Sequence, residues 1–204
     1  MEQKKIAIIT GGNRGLGKDM ALTMSEKGHN IILTYNQNRD EAEQVMNEIR
    51  KAGNKAAAIQ LDLSKISSIP VFVKDLEQAL NVNFDNNKID FLINNAGIGK
   101  TIPFIEVTEK NFDEFLNIHF KGVYFLTQKL LPIMNDHGSI VNLSTGTTRF
   151  SNPGYSVYAS MKGAIEVFTK YLAKELGASG IRANVVAPGP IETDFNNATI
   201  RSNL

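Results

Sequence analysis

Tyr158 and Lys162 stand four residues apart, the spacing that stacks two side chains on one face of a helix. A phenol has a pKa of about 10, too high to exchange protons readily at neutral pH. A fixed ammonium nearby favours the phenolate and pulls that pKa toward the working range. Such a pair can give a proton to a substrate oxygen or take one from it. Just upstream, Ser144 and Thr145 end the apolar run Ile140, Val141, Leu143, which places a hydroxyl at the carboxyl end of a strand. A strand reverses facing at each residue, so only one of the two hydroxyls can point at the substrate. The plain alternative is a surface helix carrying an aromatic and a charge on its flank.

A second stretch has chemistry of its own. Thr10-Gly11-Gly12-Asn13-Arg14-Gly15-Leu16-Gly17 follows an apolar run and opens an amphipathic one. Glycines permit a tight turn and close backbone approach, and a helix N-terminus offers unpaired N–H groups and a positive dipole end to a pyrophosphate. No Gly-Lys-Ser/Thr follows, so the stretch is not an NTPase phosphate loop. His29 and His137 are isolated, and with no cysteine in the chain no metal site is expected.

The elements that must position these groups follow from periodicity. Strands are expected over residues 5–10, 30–35, 55–61, 89–94, 139–144 and 182–187. Helices are expected over 16–27, 39–52, 66–80, 109–134 and 155–177, with a surface loop at 81–87. The strands read as continuously apolar, which argues for a parallel sheet covered on both faces. Right-handed crossovers then give a doubly wound α/β sheet of order 3-2-1-4-5-6 in three layers, with ligands beyond the carboxyl ends of the strands. At 204 residues and 42% hydrophobic content, the chain is expected to form one domain, residues 1–204.

Composition narrows the function. Lys and Arg number 22 against 21 for Asp and Glu, a net charge of +1 with no basic stripe for nucleic acid. The sequence has no membrane-length apolar run and no signal-peptide pattern, so a soluble cytoplasmic protein is expected.

Four ordered motifs carry a resemblance: the glycine loop, Asn94-Asn95-Ala96-Gly97, Tyr158-x-x-x-Lys162, and Pro188-Gly189-Pro190-Ile191-Glu192-Thr193-Asp194. Together they resemble the short-chain dehydrogenase/reductase family, in register from residue 5 to about 195, and look most like its NADP-dependent 3-oxoacyl-carrier-protein reductase-like members. The resemblance implies a Rossmann-type enzyme that moves a hydride between NADP(H) and a small carbonyl or alcohol substrate. It implies catalytic roles for Tyr158, Lys162 and a hydroxyl at Thr145 or Ser144, with Thr145 favoured. It also puts His119 where an Asn usually supports a proton relay. Gly11, Asn13, Arg14, Gly15, Leu16 and Gly17 would bind the cofactor's phosphates, and Arg14 with Asn36 the 2′-phosphate, since the second strand ends without a carboxylate. Asp62 and Leu63 would border the adenine, and Asn94, Ala96 and Gly97 the ribose path. Tyr158 and Lys162 would reach the nicotinamide ribose, with Pro188, Gly189, Ile191 and Thr193 near the carboxamide. Phe150 and Tyr155 are candidate substrate walls. Residues 188–204 are expected to begin a substrate lid, with the family's last strand missing, and a homo-oligomer (tetramer or dimer) is expected through the long helices. The competing reading is a non-catalytic dinucleotide-binding protein of the same fold.

Overall fold

The strand β1 (Ile6–Ile9) is apolar at every position because both of its faces are covered: Ile6 and Ile8 enter one core layer, Ala7 and Ile9 the other. The computed structural model describes residues 4–191. β2 (Asn30–Tyr35), β3 (Ala56–Gln60), β4 (Ile89–Asn94), β5 (Met134–Leu143) and β6 (Arg182–Val186) join β1 in one parallel sheet of order β3-β2-β1-β4-β5-β6. This is the order that the alternation of apolar runs predicts.

Helices cover the two faces. α3 (Ser68–Ala79), α5 (Gly122–Leu130) and α6 (Ser156–Glu175) supply Phe72, Leu76, Leu126, Leu130 and Leu172 to one layer. α1 (Gly15–Glu26) and α2 (Arg39–Lys51) supply Ala21, Ala42, Val45 and Ile49 to the other. Among the described residues, no helix is long and apolar enough to cross a membrane.

Three stretches differ from expectation. The helix expected over 109–134 is broken into α4 (Glu109–Leu116), a π-helical turn at Asn117–Lys121, α5 and a 3-10 turn at Leu131–Ile133. A π turn accommodates one extra residue, and it is here that His119 turns inward to become buried. β5 begins earlier than expected, at Met134, which pairs with Ile89 ahead of a register shift. Residues 81–87 are not wholly a loop: Leu80–Phe84 is a π-helical turn whose ends, Leu80 and Phe84, are buried against the α3 layer. That apolar pair at helical spacing is disguised by the asparagines around it. The remaining bounds fall within two residues of expectation.

A chain of polar side chains runs through this core. Asn94 Nδ2 donates to Thr127 Oγ1 (3.1 Å) and to Asn142 Oδ1 (2.8 Å), and Asn142 Nδ2 donates to Thr169 Oγ1 (2.8 Å). It links α5, β4, β5 and α6 in register, since Asn94 and Asn142 are paired across the sheet. Buried polar groups are costly unless satisfied, so this chain favours one arrangement of strand against helix. Asn142→Ala strips Asn94 of an acceptor and Thr169 of a donor. We expect it to cost about 2–4 kcal/mol, read as a lowered urea midpoint in equilibrium unfolding.

Candidate active site

The carboxyl ends of the strands open into one continuous cleft of about 2200 Å³, running from the glycine loop to Pro188–Ile191 by way of residues 95–98 and 143–145. At one end, Gly11 adopts φ +64°, and a Cβ at Gly17 would collide with the Gly11 carbonyl. Only glycine lets the loop close on itself there. Thr34 holds it: its hydroxyl accepts from Gly11 N (3.1 Å) and its carbonyl from Gly12 N (2.9 Å). Arg14 caps α1 with no side-chain hydrogen bond, and the first turn holds no acidic residue. The helix therefore presents unfilled donors and a positive end to the cleft, which suits a phosphate.

Along the middle, the Thr10 hydroxyl accepts from Asn95 N and Ala96 N, each at 3.0 Å, and fixes the turn after β4. Asp62 lines the same cleft. Burial opposes its ionisation, yet the Ser64 hydroxyl (2.6 Å) and amide (3.0 Å), with Lys65, hold the carboxyl below its ordinary value.

At the far end, the side chains of α6 grip four consecutive residues at the end of β5. Thr169 accepts from Asn142, Lys162 Nζ donates to the Leu143 carbonyl (2.7 Å), Ser144 Oγ donates to Glu166 Oε1 (2.6 Å), and the Thr145 hydroxyl is hydrogen-bonded to the Tyr158 phenol. Burial brings the Lys162 ammonium down to about 8. Burial likewise raises the Tyr158 phenol, while the Thr145 hydrogen bond pulls it down. Lys162 Nζ lies 5.8 Å from the phenol ring centroid and is aimed at the Leu143 carbonyl.

His119 completes this end. It packs on Phe115 (5.5 Å between ring centroids) and meets the Tyr158 ring edge-on at 5.1 Å. Its Nε2 lies 2.8 Å from the Ile98 carbonyl and 3.3 Å from Ile98 N, so it has a partner there in either tautomer, while Nδ1 is buried with no hydrogen-bond partner among the described residues. Desolvation, then the charge of Lys162, hold it well below its ordinary pKa, so the ring is neutral.

The family model for short chain dehydrogenases matches residues 5–203. The chain belongs to the short-chain dehydrogenase family. It is 34% identical over 196 residues to the 3-oxoacyl-acyl-carrier-protein reductase FabG of Staphylococcus epidermidis, covering 95% of this chain and 78% of that protein. It is 36% identical to the short-chain dehydrogenase/reductase GME11373 of Pestalotiopsis microspora, over 94% of this chain and 70% of that one. Among solved structures, the angucycline C-6 ketoreductase LanV with bound NADP superposes with a TM-score of 0.94 at 31% identity. That match covers 98% of this chain and 79% of LanV. A short chain dehydrogenase from Burkholderia cenocepacia in complex with NADP gives 0.88 at 31% identity, over 97% and 78%.

This short-chain dehydrogenase brings most of the residues singled out by sequence to one cleft. Gly11, Asn13, Arg14, Gly15, Leu16, Gly17, Asn36, Asp62 and Leu63 line one half. Ala96, Gly97, His119, Ser144, Thr145, Tyr158, Lys162, Pro188, Gly189 and Ile191 line the other, with Phe150 and Tyr155 at the same end. Asn94 does not line it: its side chain is turned into the core toward Thr127 and Asn142, and Asn95 takes the place at the cleft. The alternation of strand facing explains the exchange. Thr193 lies outside the described residues. Sequence reading missed Thr34, Asn95 and Glu166. Of these, Glu166 had a signal, since it follows Lys162 by four residues on the same helix face.

The buried neutral His119 sets a pH dependence. Its pKa is depressed in the fold, so between its folded value and the ordinary 6.5 the unfolded chain binds more protons, and stability falls as pH drops below about 6.5. Denaturant unfolding at pH 7 and pH 5 should show a loss approaching the one-proton limit of about 1.4 kcal/mol per pH unit. His119→Gln should flatten that slope whatever its stability at pH 7.

Proposed function

We propose that the chain is an NADP(H)-dependent oxidoreductase that interconverts a carbonyl and a secondary alcohol. The observation that carries this reading is the gathering of Thr145, Tyr158 and Lys162 in one cleft continuous with the glycine loop. The loop residues Gly11, Asn13, Gly15, Leu16 and Gly17 would hold the pyrophosphate. Arg14 and Asn36 would take the 2′-phosphate: both are exposed at the cleft, and Arg14 has no ion pair among the described residues. LanV and the Burkholderia protein, both solved with NADP, support this choice. Asp62 and Leu63 would border the adenine, Ala96 and Gly97 the ribose path, and Pro188, Gly189 and Ile191 the carboxamide.

NADP(H) bound there supplies or accepts the hydride. Thr145 donates a hydrogen bond to the substrate oxygen and steadies the charge that develops on it. Tyr158 passes the proton to or from that oxygen, and the Lys162 ammonium holds the ribose and favours the phenolate that remains. His119, kept neutral, offers Nδ1 to a water that returns the proton from solvent. A homo-oligomer through α5 and α6 is supported by exposed Tyr124, Val167 and Tyr171.

NADPH consumption against reactive diketones and acyl thioesters tests the reaction. Tyr158→Phe should lower kcat by about 10²- to 10⁴-fold while NADPH still binds. Tight NADPH binding with no turnover in the unaltered protein would favour the non-catalytic reading instead. Arg14→Ala should weaken NADPH binding by about 10- to 100-fold and leave NADH binding unchanged in a fluorescence titration. Equal losses for both would remove Arg14 from the 2′-phosphate site.

A further inference from the structure

β5 ends on two adjacent hydroxyls, and both are nearly buried, Ser144 at 4% exposure and Thr145 at 9%. Either could serve a substrate oxygen by its chemistry alone. Their partners separate them. Ser144 Oγ donates to Glu166 Oε1 at 2.6 Å, and Thr148 Oγ1 lies 2.8 Å from the same oxygen. Thr148 Oγ1 is also 2.9 Å from the Thr145 carbonyl, and Thr147 N donates to Thr145 Oγ1 at 3.3 Å. One carboxylate oxygen thus ties down the residue before Thr145 and the turn after it.

We propose that Glu166 is a positioning residue that selects Thr145 over Ser144 as the hydroxyl presented to the substrate, by holding Ser144 and Thr148 on a single carboxylate oxygen. The inference rests on the reductase reading above for the role of Thr145, but the geometry of the selection is independent of turnover. A charge-assisted hydrogen bond to a carboxylate is about twice as strong as one between neutral groups, so Ser144 is drawn to Glu166 and away from the cleft. The carboxylate is held ionised: the Ser144 bond, then Thr148, Arg149 and Lys170, outweigh burial. Glu166 sits one helical turn beyond Lys162 on α6, so Lys162 and Glu166 grip Leu143 and Ser144 in turn and leave Thr145 to Tyr158.

The test reads the Tyr158 phenol directly. With tyrosine labelled with carbon-13 at Cζ, the Tyr158 resonance is assigned by its absence in Tyr158→Phe and followed through a pH titration. Glu166→Leu releases the turn and loosens the Thr145 bond, so Tyr158 should ionise at a higher pH than in the unaltered protein. Glu166→Gln keeps an Oε1 acceptor for both hydroxyls and should recover most of the shift. In turnover, Glu166→Leu should lower kcat by about 10- to 100-fold with little change in KM for NADPH, and Ser144→Ala added to it should cost nothing further. Should Glu166→Leu fail to fold, Ser144→Ala combined with Thr148→Val severs the same contacts and should give the same upward shift. A Tyr158 titration unchanged in the folded variant overturns the proposal. A shifted titration in a protein that reduces no carbonyl supports the positioning role and sinks the reductase reading instead.

Discussion

Burying an ammonium between a helix and the end of a strand is the constraint around which this molecule is arranged. Lys162 is only 5% exposed and loses its water, and the Leu143 carbonyl at 2.7 Å is the partner that compensates. That bond holds only if α6 lies at one height against β5. The same height brings Thr169 to Asn142, Glu166 to Ser144 and Tyr158 to Thr145. A shift of α6 by one turn would break all four together and leave a buried cation and several buried dipoles unpaired. The placement of Tyr158, Lys162 and Thr145 is thus fixed by the same interactions that hold the helix on the sheet.

The glycine loop is fixed by different means. Backbone groups dominate, with Thr10 and Thr34 as the side chains that tie it to β4 and β2. The polar chain from Thr127 through Asn94 and Asn142 to Thr169 then couples β4 to β5 and α6. The glycine-loop end and the Tyr158 end of the cleft are therefore carried by one sheet. Distance between the two ends is set by strand spacing, which varies little.

The sheet order, the bounds of β2 and β4, the glycine loop and the Tyr158/Lys162 pair were legible in the sequence, because each depends on local spacing. What was not legible depends on contacts between distant elements. Nothing near Ser144 or Thr145 in the chain says that Glu166 will claim one of them. Nothing near Lys162 says that a strand carbonyl will receive its ammonium. Asn94 was misplaced by a single step of strand facing, the smallest error a strand allows and one that reverses a side chain's surroundings. The break at Asn117–Lys121 escaped because a π turn preserves the appearance of a helical pattern on either side.

That turn also has an evolutionary consequence. An α-helix advances about 100° per residue, so the one surplus residue in Asn117–Lys121 offsets the phase of α5 from that of α4 by that angle. Phe115 upstream and Leu126 and Leu130 downstream are all buried on the inner side of this segment. A single deletion there would swing the downstream apolar stripe off the sheet, while a substitution at His119 would leave the phase untouched. The segment can exchange its side chain far more freely than its length, so chemistry can drift at this position without the scaffold having to follow.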